Sequence, residues 1–218
     1  LEVRFADVNT ALLFPQSEAD TLIVLAPGES TAGLESPTCW GDEALSRHAQ
    51  ELSGESVPLR AGGGAYRFYR LPAGYVPDPP VRPADTPVRL ANGVSLLGYA
   101  LSVPPEPGQT TRLSLYWRVN AVPADPPAQG YSFANHLLAG DGQRCGQKDG
   151  PGYPVELWRA GDTIISWFDI ALDADAPPGP YQLRVGMYVY TPPDQFAAVP
   201  VVDAMGQPIG DAVRWPLE

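Results

Sequence analysis

Few residues in this chain have both the type and the spacing that chemistry needs, and the aromatic ones carry most of the signal. Tyr116, Tyr188 and Tyr190 alternate with apolar positions in two strand-like runs, which places them in solvent-facing registers. If those strands are neighbours, the rings form an aromatic platform flanked by Arg118 and Arg184. Such a surface suits carbohydrate, because the C–H faces of a sugar ring pack on π surfaces while its hydroxyls find polar partners. The bland alternative is that the same rings pack beneath another domain.

The remaining candidates are weaker. Gly28-Glu29-Ser30-Thr31-Ala32 follows an apolar run, where a nucleophile elbow would stand. That motif wants Gly at the position of Ala32 and a helix directly after it, and Gly33 and Pro37 oppose one. A hydrolase using Ser30 is therefore the weakest functional reading. Gly62-Gly63-Gly64 precedes a strand, and no Lys-Ser/Thr follows, so it reads as a flexible connection and not as a phosphate cradle. Asp169, Asp173 and Asp175 could offer oxygen to Ca²⁺, but nothing nearby in sequence completes six to eight ligands. The two histidines are His48 and His136, and His136 reads as a hydrogen-bonded structural residue on a strand. Cys39 and Cys145 lack metal-ligand spacing. Joined, they would close a loop of about a hundred residues and stabilise the fold by up to ~4–5 kcal/mol. Unjoined, they are two buried thiols. No catalytic residue, metal or cofactor is expected.

Prolines and glycines set out the elements that must position these residues. The segment Pro72–Pro83 holds five prolines in twelve residues and reads as an extended linker. It divides the chain into a small α+β domain (1–72), a Pro-rich linker (73–86) and a β-sandwich domain (87–218). In the first unit, Val3–Phe5, Ala11–Phe14, Thr21–Ala26 and Ala65–Leu71 read as strands. The unbroken apolar run Thr21–Ala26 suggests burial on both faces. Asp42–Leu52 is the one helix, with Leu45, Ala49 and Leu52 on one side, Asp42 as N-cap and Gly54 as stop. In the second unit, Arg112–Asn120 and Tyr181–Tyr190 alternate cleanly as half-buried strands, with Trp117 and Tyr181 inward. Val88–Leu101, Tyr131–Leu138, Thr163–Leu172, Val199–Val202 and Ala212–Trp215 add further strands. The fold class is thus mainly β, ending in an immunoglobulin-like or jelly-roll antiparallel sandwich.

Composition agrees. The 218 residues include 26 Pro and 22 Gly, a load that helices reject and β-turns accept. Hydrophobic residues make up 44% of the chain, enough for a core. A net charge of −11 repels phosphate backbones and argues against nucleic acid as a partner. The opening Leu1-Glu2 suggests a processed product or a piece of something longer.

A series of short motifs in the second unit resembles a known family. These are Leu96-Leu-Gly-Tyr99, Leu113-Ser-Leu-Tyr-Trp117, His136-Leu-Leu-Ala-Gly-Asp-Gly142, Gln147-Lys-Asp149, Tyr153-Pro154, Trp158-Arg-Ala-Gly161 and Pro177-Pro-Gly-Pro-Tyr-Gln-Leu-Arg-Val-Gly-Met-Tyr188. Their order and spacing over residues 88–213 resemble the C-terminal module of bacterial membrane glycosyltransferases related to the protein O-mannosyltransferases. In the first unit only Tyr66-Arg-Phe-Tyr-Arg-Leu71 is similar. The resemblance implies a non-catalytic appendage on the extracytoplasmic face of the membrane. Its partner would be the membrane-embedded portion of the parent chain, and a glycan or polypeptide acceptor could be a second. The parent would transfer sugar from a polyprenyl-phosphate carrier. Catalytic residues in that family belong to the membrane part, so none carries over. Two positions depart from the pattern: Asn135 stands where an apolar residue is usual, and Ser166 where an acid is expected. The rival reading is a free secreted module that binds carbohydrate or protein.

Overall fold

Alternation builds the larger unit. Leu113, Leu115, Trp117 and Val119 project from one side of β8 (Thr110–Val119) and are fully buried. Leu183, Val185 and Met187 do the same from β13 (Gln182–Thr191), as a period of two requires. The computed structural model describes residues 11–25, 45–52, 57–58, 65–82, 87–193 and 195–217. The expected strand Val3–Phe5 lies outside them.

Two antiparallel sheets result. The seven-stranded one runs β1 (Ala11–Phe14), β12 (Thr163–Ala171), β8, β7 (Val94–Leu101), β6 (Val88–Leu90), β15 (Val201–Val202) and β16 (Pro208–Gly210). The six-stranded one runs β10 (Arg144–Gln147), β9 (Ser132–Leu138), β13 and β14 (Gln195–Val199), with β11 (Gly150–Pro151) on β9 and β17 (Val213–Pro216) on β13. Their inner faces share one apolar core, which makes the unit a β-sandwich. Trp117 meets Phe133 across the layers at 5.7 Å and Trp158 at 5.3 Å, and Tyr99 meets Trp215 at 5.3 Å. At one side the sheets are stitched together, Gly146 bridging Leu172. Ser166 accepts the buried indole N–H of Trp117 at 3.2 Å, a role for an uncharged hydroxyl at the position where an acid was expected.

A third sheet holds β2 (Thr21–Leu25), β5 (Ala65–Leu71) and β3 (Gln50–Glu51), with β4 (Val57–Pro58) also on β5. Residues 45–48 form one helical turn, closed by Ala49 N–H donating to Leu45 O at 2.7 Å. The helix expected to reach Leu52 therefore stops early. Gln50 and Glu51 pair instead with Arg70 and Tyr69, because β5 offers them a ladder. Leu22 and Val24 are 59% and 51% exposed, so the run expected to be buried on both faces is the edge of this small sheet.

The boundary drawn near residue 72 does not divide the sheets. β1 lies before it yet pairs with β12, Ala11 opposite Ser166 and Phe14 opposite Thr163. The proline-rich segment is fastened as well. Val81 and Tyr99 exchange backbone hydrogen bonds at 2.9 and 3.1 Å, and Pro77 and Pro79 are buried. Gly98 makes this approach possible, since a Cβ there would overlap Val81 O.

Candidate functional site

The small sheet and the helical turn cover the outer side of the seven-stranded sheet. Leu45, Tyr69 and Leu71 pack there on Leu12 and Phe14 of β1 and on Tyr116, Ile165 and Trp167, so β8 and β12 are buried on both faces through most of their length. Tyr116 is 7% exposed. It belongs to this covered layer and not to a platform, which corrects the half-buried reading of its strand. Arg118 follows on the same outer side, opposite Thr163, and its Nε is buried without a hydrogen-bond partner among the described residues. Neither residue reaches the face that carries Tyr188 and Tyr190.

A cleft of about 280 Å³ remains at the rim of this layer. Arg47, His48, Ser114, Tyr116 and Trp167 line it. His48 Nδ1 and the Tyr75 hydroxyl are 2.7 Å apart, with the Phe14 ring edge-on to the imidazole at 5.4 Å. Burial holds His48 below its ordinary range, and the Arg47 charge pushes the same way. Burial also raises the Tyr116 phenol, against the pull of Arg47 and with a contribution from Tyr75. The Tyr75 hydroxyl thus gives His48 Nδ1 a neutral hydrogen-bonding partner.

The outer side of the six-stranded sheet is different. Register rows place His136 beside Arg184, Ala134 beside Gly186, Ser132 beside Tyr188, and Tyr190 beside Phe196. Arg184 donates to Asp211 Oδ2 at 2.9 Å and reaches His136 Nδ1 at 3.5 Å. His136 Nε2 lies 3.5 Å from Asp149 Oδ1. Partial burial lowers the His136 imidazole; Asp149 opposes that shift, while Arg184 and Arg144 add to it. Asn135 explains how Asp149 comes to be there. Its buried amide donates to Lys148 O at 2.9 Å, and its backbone N–H meets Asp149 Oδ1 at 3.3 Å, fixing the loop against the strand. The polar side chain found at an expected apolar position therefore anchors the acid. At the other end of the same face, Phe196 lies 5.6 Å from Tyr188 and 5.1 Å from Tyr190. Phe196 is 66% exposed.

No family model, curated protein or solved structure matches the chain.

Of the five expected platform residues, Arg184, Tyr188 and Tyr190 share one face, whereas Tyr116 and Arg118 lie on the other sheet. Phe196 and Asp211 were not singled out by the sequence, and Asp149 entered only within the motif Gln147-Lys-Asp149 with no site role. The signal for Phe196 was present: the Pro192-Pro193 turn returns the chain so that Phe196 stands opposite Tyr190. His136, taken as structural, belongs to the polar row. Asp169 is held by Arg112 in a two-pronged pair at 2.5 and 2.6 Å, which removes it from any Ca²⁺ site with Asp173 and Asp175. Among the described residues no group of three or more His, Cys, Asp or Glu side chains converges. Cys145 is a buried free thiol, so the cross-link weighed from the sequence is unformed at that end. Cys39, Ser30 and Gly62–Gly64 lie outside the described residues. Among the described residues no helix is long and apolar enough to cross a membrane.

Proposed function

We propose that this chain is a non-catalytic, extracytoplasmic accessory module of a membrane-bound glycosyltransferase that uses a polyprenyl-phosphate-linked sugar, and that its open sheet face meets glycan or acceptor. The observation that carries the reading is the convergence of separated motif residues. His136 and Asp149 come from different motifs, and Arg184 from a third, yet all three stand together on the outer side of one sheet. The other motifs support that face from behind. Leu96–Tyr99 and Leu113–Trp117 pair as neighbouring strands, Trp158 packs on Trp117, and the Tyr181 hydroxyl donates to Pro177 O at 2.7 Å to brace the start of β13. A spaced motif series that encodes one rigid sandwich with one polar and aromatic face fits a positioning role better than a reaction centre.

An antibody to this fragment, used on fractionated source cells, tests the reading. The expected result is a membrane-embedded band several times larger than the 23.3 kDa of this chain. A soluble band near 23.3 kDa would overturn it and leave the free secreted binding module.

A further inference from the structure

We infer that the outer face of the six-stranded sheet is a binding site for a neutral glycan of at least two pyranose rings, with Tyr188, Tyr190 and Phe196 as the stacking subsite. The inference deepens the accessory reading and rests on it for the class of ligand. Phe196 lies against both Tyr188 and Tyr190 and is itself two-thirds exposed, which offers π surface to solvent. Apolar C–H faces of a sugar ring pack on such a surface, and a ring already braced by its neighbours loses little conformational freedom when it does so.

The surroundings select among occupants. Along β13, Tyr188 and Arg184 are four residues apart, about 13 Å at ~3.3 Å per residue, a span suited to a disaccharide. Between them the face is low, since Ser132 and Ala134 flank Tyr188 and Gly186 in the register rows. At the far end stand Arg184, His136, Asp149 and Asp211, with Arg214 opposite Arg184 on β17. Arg144, Arg184 and Arg214 stand there with Asp149 and Asp211, and burial favours the neutral imidazole of His136. The row therefore presents both donors and acceptors, which matches the hydroxyl groups of a sugar. A chain of net charge −11 adds a general repulsion for acidic sugars. Extent argues against a second copy of the chain as occupant. Three rings, two of them half-buried, expose at most a few hundred Å², whereas a stable interface needs about 800 Å² from each partner.

Titration of the ¹⁵N-labelled chain with cellobiose, lactose and α-1,2-mannobiose, followed by amide NMR, tests the site, with glucuronic acid as the anionic comparison. The expected result is saturable shifts from at least one neutral disaccharide, with a dissociation constant in the millimolar range. Phe196→Ala and Tyr188→Ala weaken that binding at least tenfold, while Tyr116→Phe on the opposite sheet leaves it unchanged. Absence of shifts with all three sugars at about 10 mM overturns the site, as does equal binding by Phe196→Ala. Sedimentation of the same variants covers the remaining occupant: self-association lost in Phe196→Ala would assign the face to a second copy and overturn the glycan site. The two levels fail separately. Sugar binding by a protein that proves to be a soluble 23.3 kDa chain sinks the accessory reading alone. A large membrane-embedded parent whose module binds no neutral sugar sinks this site alone.

Discussion

The two outer faces of the sandwich arise from the same alternation and end in opposite conditions. On the seven-stranded sheet, Tyr116, Ile165 and Trp167 point away from the sandwich core and are nonetheless buried, because Leu45, Tyr69 and Leu71 form a second apolar layer over them. On the six-stranded sheet, Tyr188 and Tyr190 point away from the core in the same sense and stay half-buried, beside an exposed Phe196. An aromatic residue in an outward register therefore shows only that it is not in the first core. Whether it becomes a second core or a surface depends on what the rest of the chain lays across it. A covered aromatic face is a matter of stability, and an open one is available for binding.

The sharpest way to break this contrast is to truncate one ring on each face. Tyr116→Ala removes a buried aromatic from the covered layer and should cost about 3–5 kcal/mol in denaturant unfolding. Tyr188→Ala removes a half-buried ring and should cost about 1 kcal/mol, toward the surface end of the mutational range. Equal losses would mean that the two faces are not different in kind. Gly98→Ala tests how firmly the proline-rich segment belongs to the fold. The new Cβ would collide with Val81 O, which is backbone and cannot rotate away, so a loss of about 1–3 kcal/mol is expected. An unaltered midpoint would show that residues 77–81 detach at no cost and are a linker after all.

Much of the sandwich was legible because period-two alternation with Trp, Tyr and β-branched residues is a local signal. The strands Thr163–Ala171, Ser132–Leu138 and Ala65–Leu71 lie within a residue or so of where the pattern puts them. The covering layer was not legible, since nothing in Arg112–Asn120 announces that Ser114 and Tyr116 will meet a second apolar surface. Thr21–Leu25 failed in the opposite direction: five residues in a row with no alternation looked doubly buried, yet the strand closes a small sheet at its edge. The helical turn was extended too far because Leu45, Ala49 and Leu52 do fall at helical spacing, and only the ladder offered by β5 takes Gln50 and Glu51 away. The candidate site was half visible. Arg184, Tyr188 and Tyr190 were read from one strand, whereas Asp149, Asp211 and Phe196 reach the face through turns whose geometry is not a periodic signal.

Protonation probes both faces in one experiment, with a smaller effect. His48 under the covered layer and His136 on the open face are both held below the ordinary imidazole value, chiefly by burial. A depressed value means that the unfolded chain binds the proton more readily than the folded one. Stability from this source is therefore complete above about pH 6.5 and is lost as pH falls below it. Thermal midpoints measured from pH 8 to pH 5 should decline on the acid side. His48→Gln and His136→Gln should each flatten part of that slope. If His136→Gln removes all of it, the covered histidine is not under strain and the cleft at its rim is open to water.

The smallest expected effect lies on β2, where the contrast between sequence pattern and actual cover is greatest. Leu22 and Val24 look like core residues in sequence and are more than half exposed. Among the described residues their strand pairs with β5 alone, and polar replacements on the exposed side break no ladder hydrogen bond. Val24→Thr keeps the branched shape that a strand favours and should change stability by less than about 0.5 kcal/mol. The same replacement at Leu12, which is 3% exposed under the covering layer, should cost several times more. A large loss at Val24 would mean that this edge is covered as the seven-stranded sheet is, and would turn the small sheet from a lid into a layer with cover of its own.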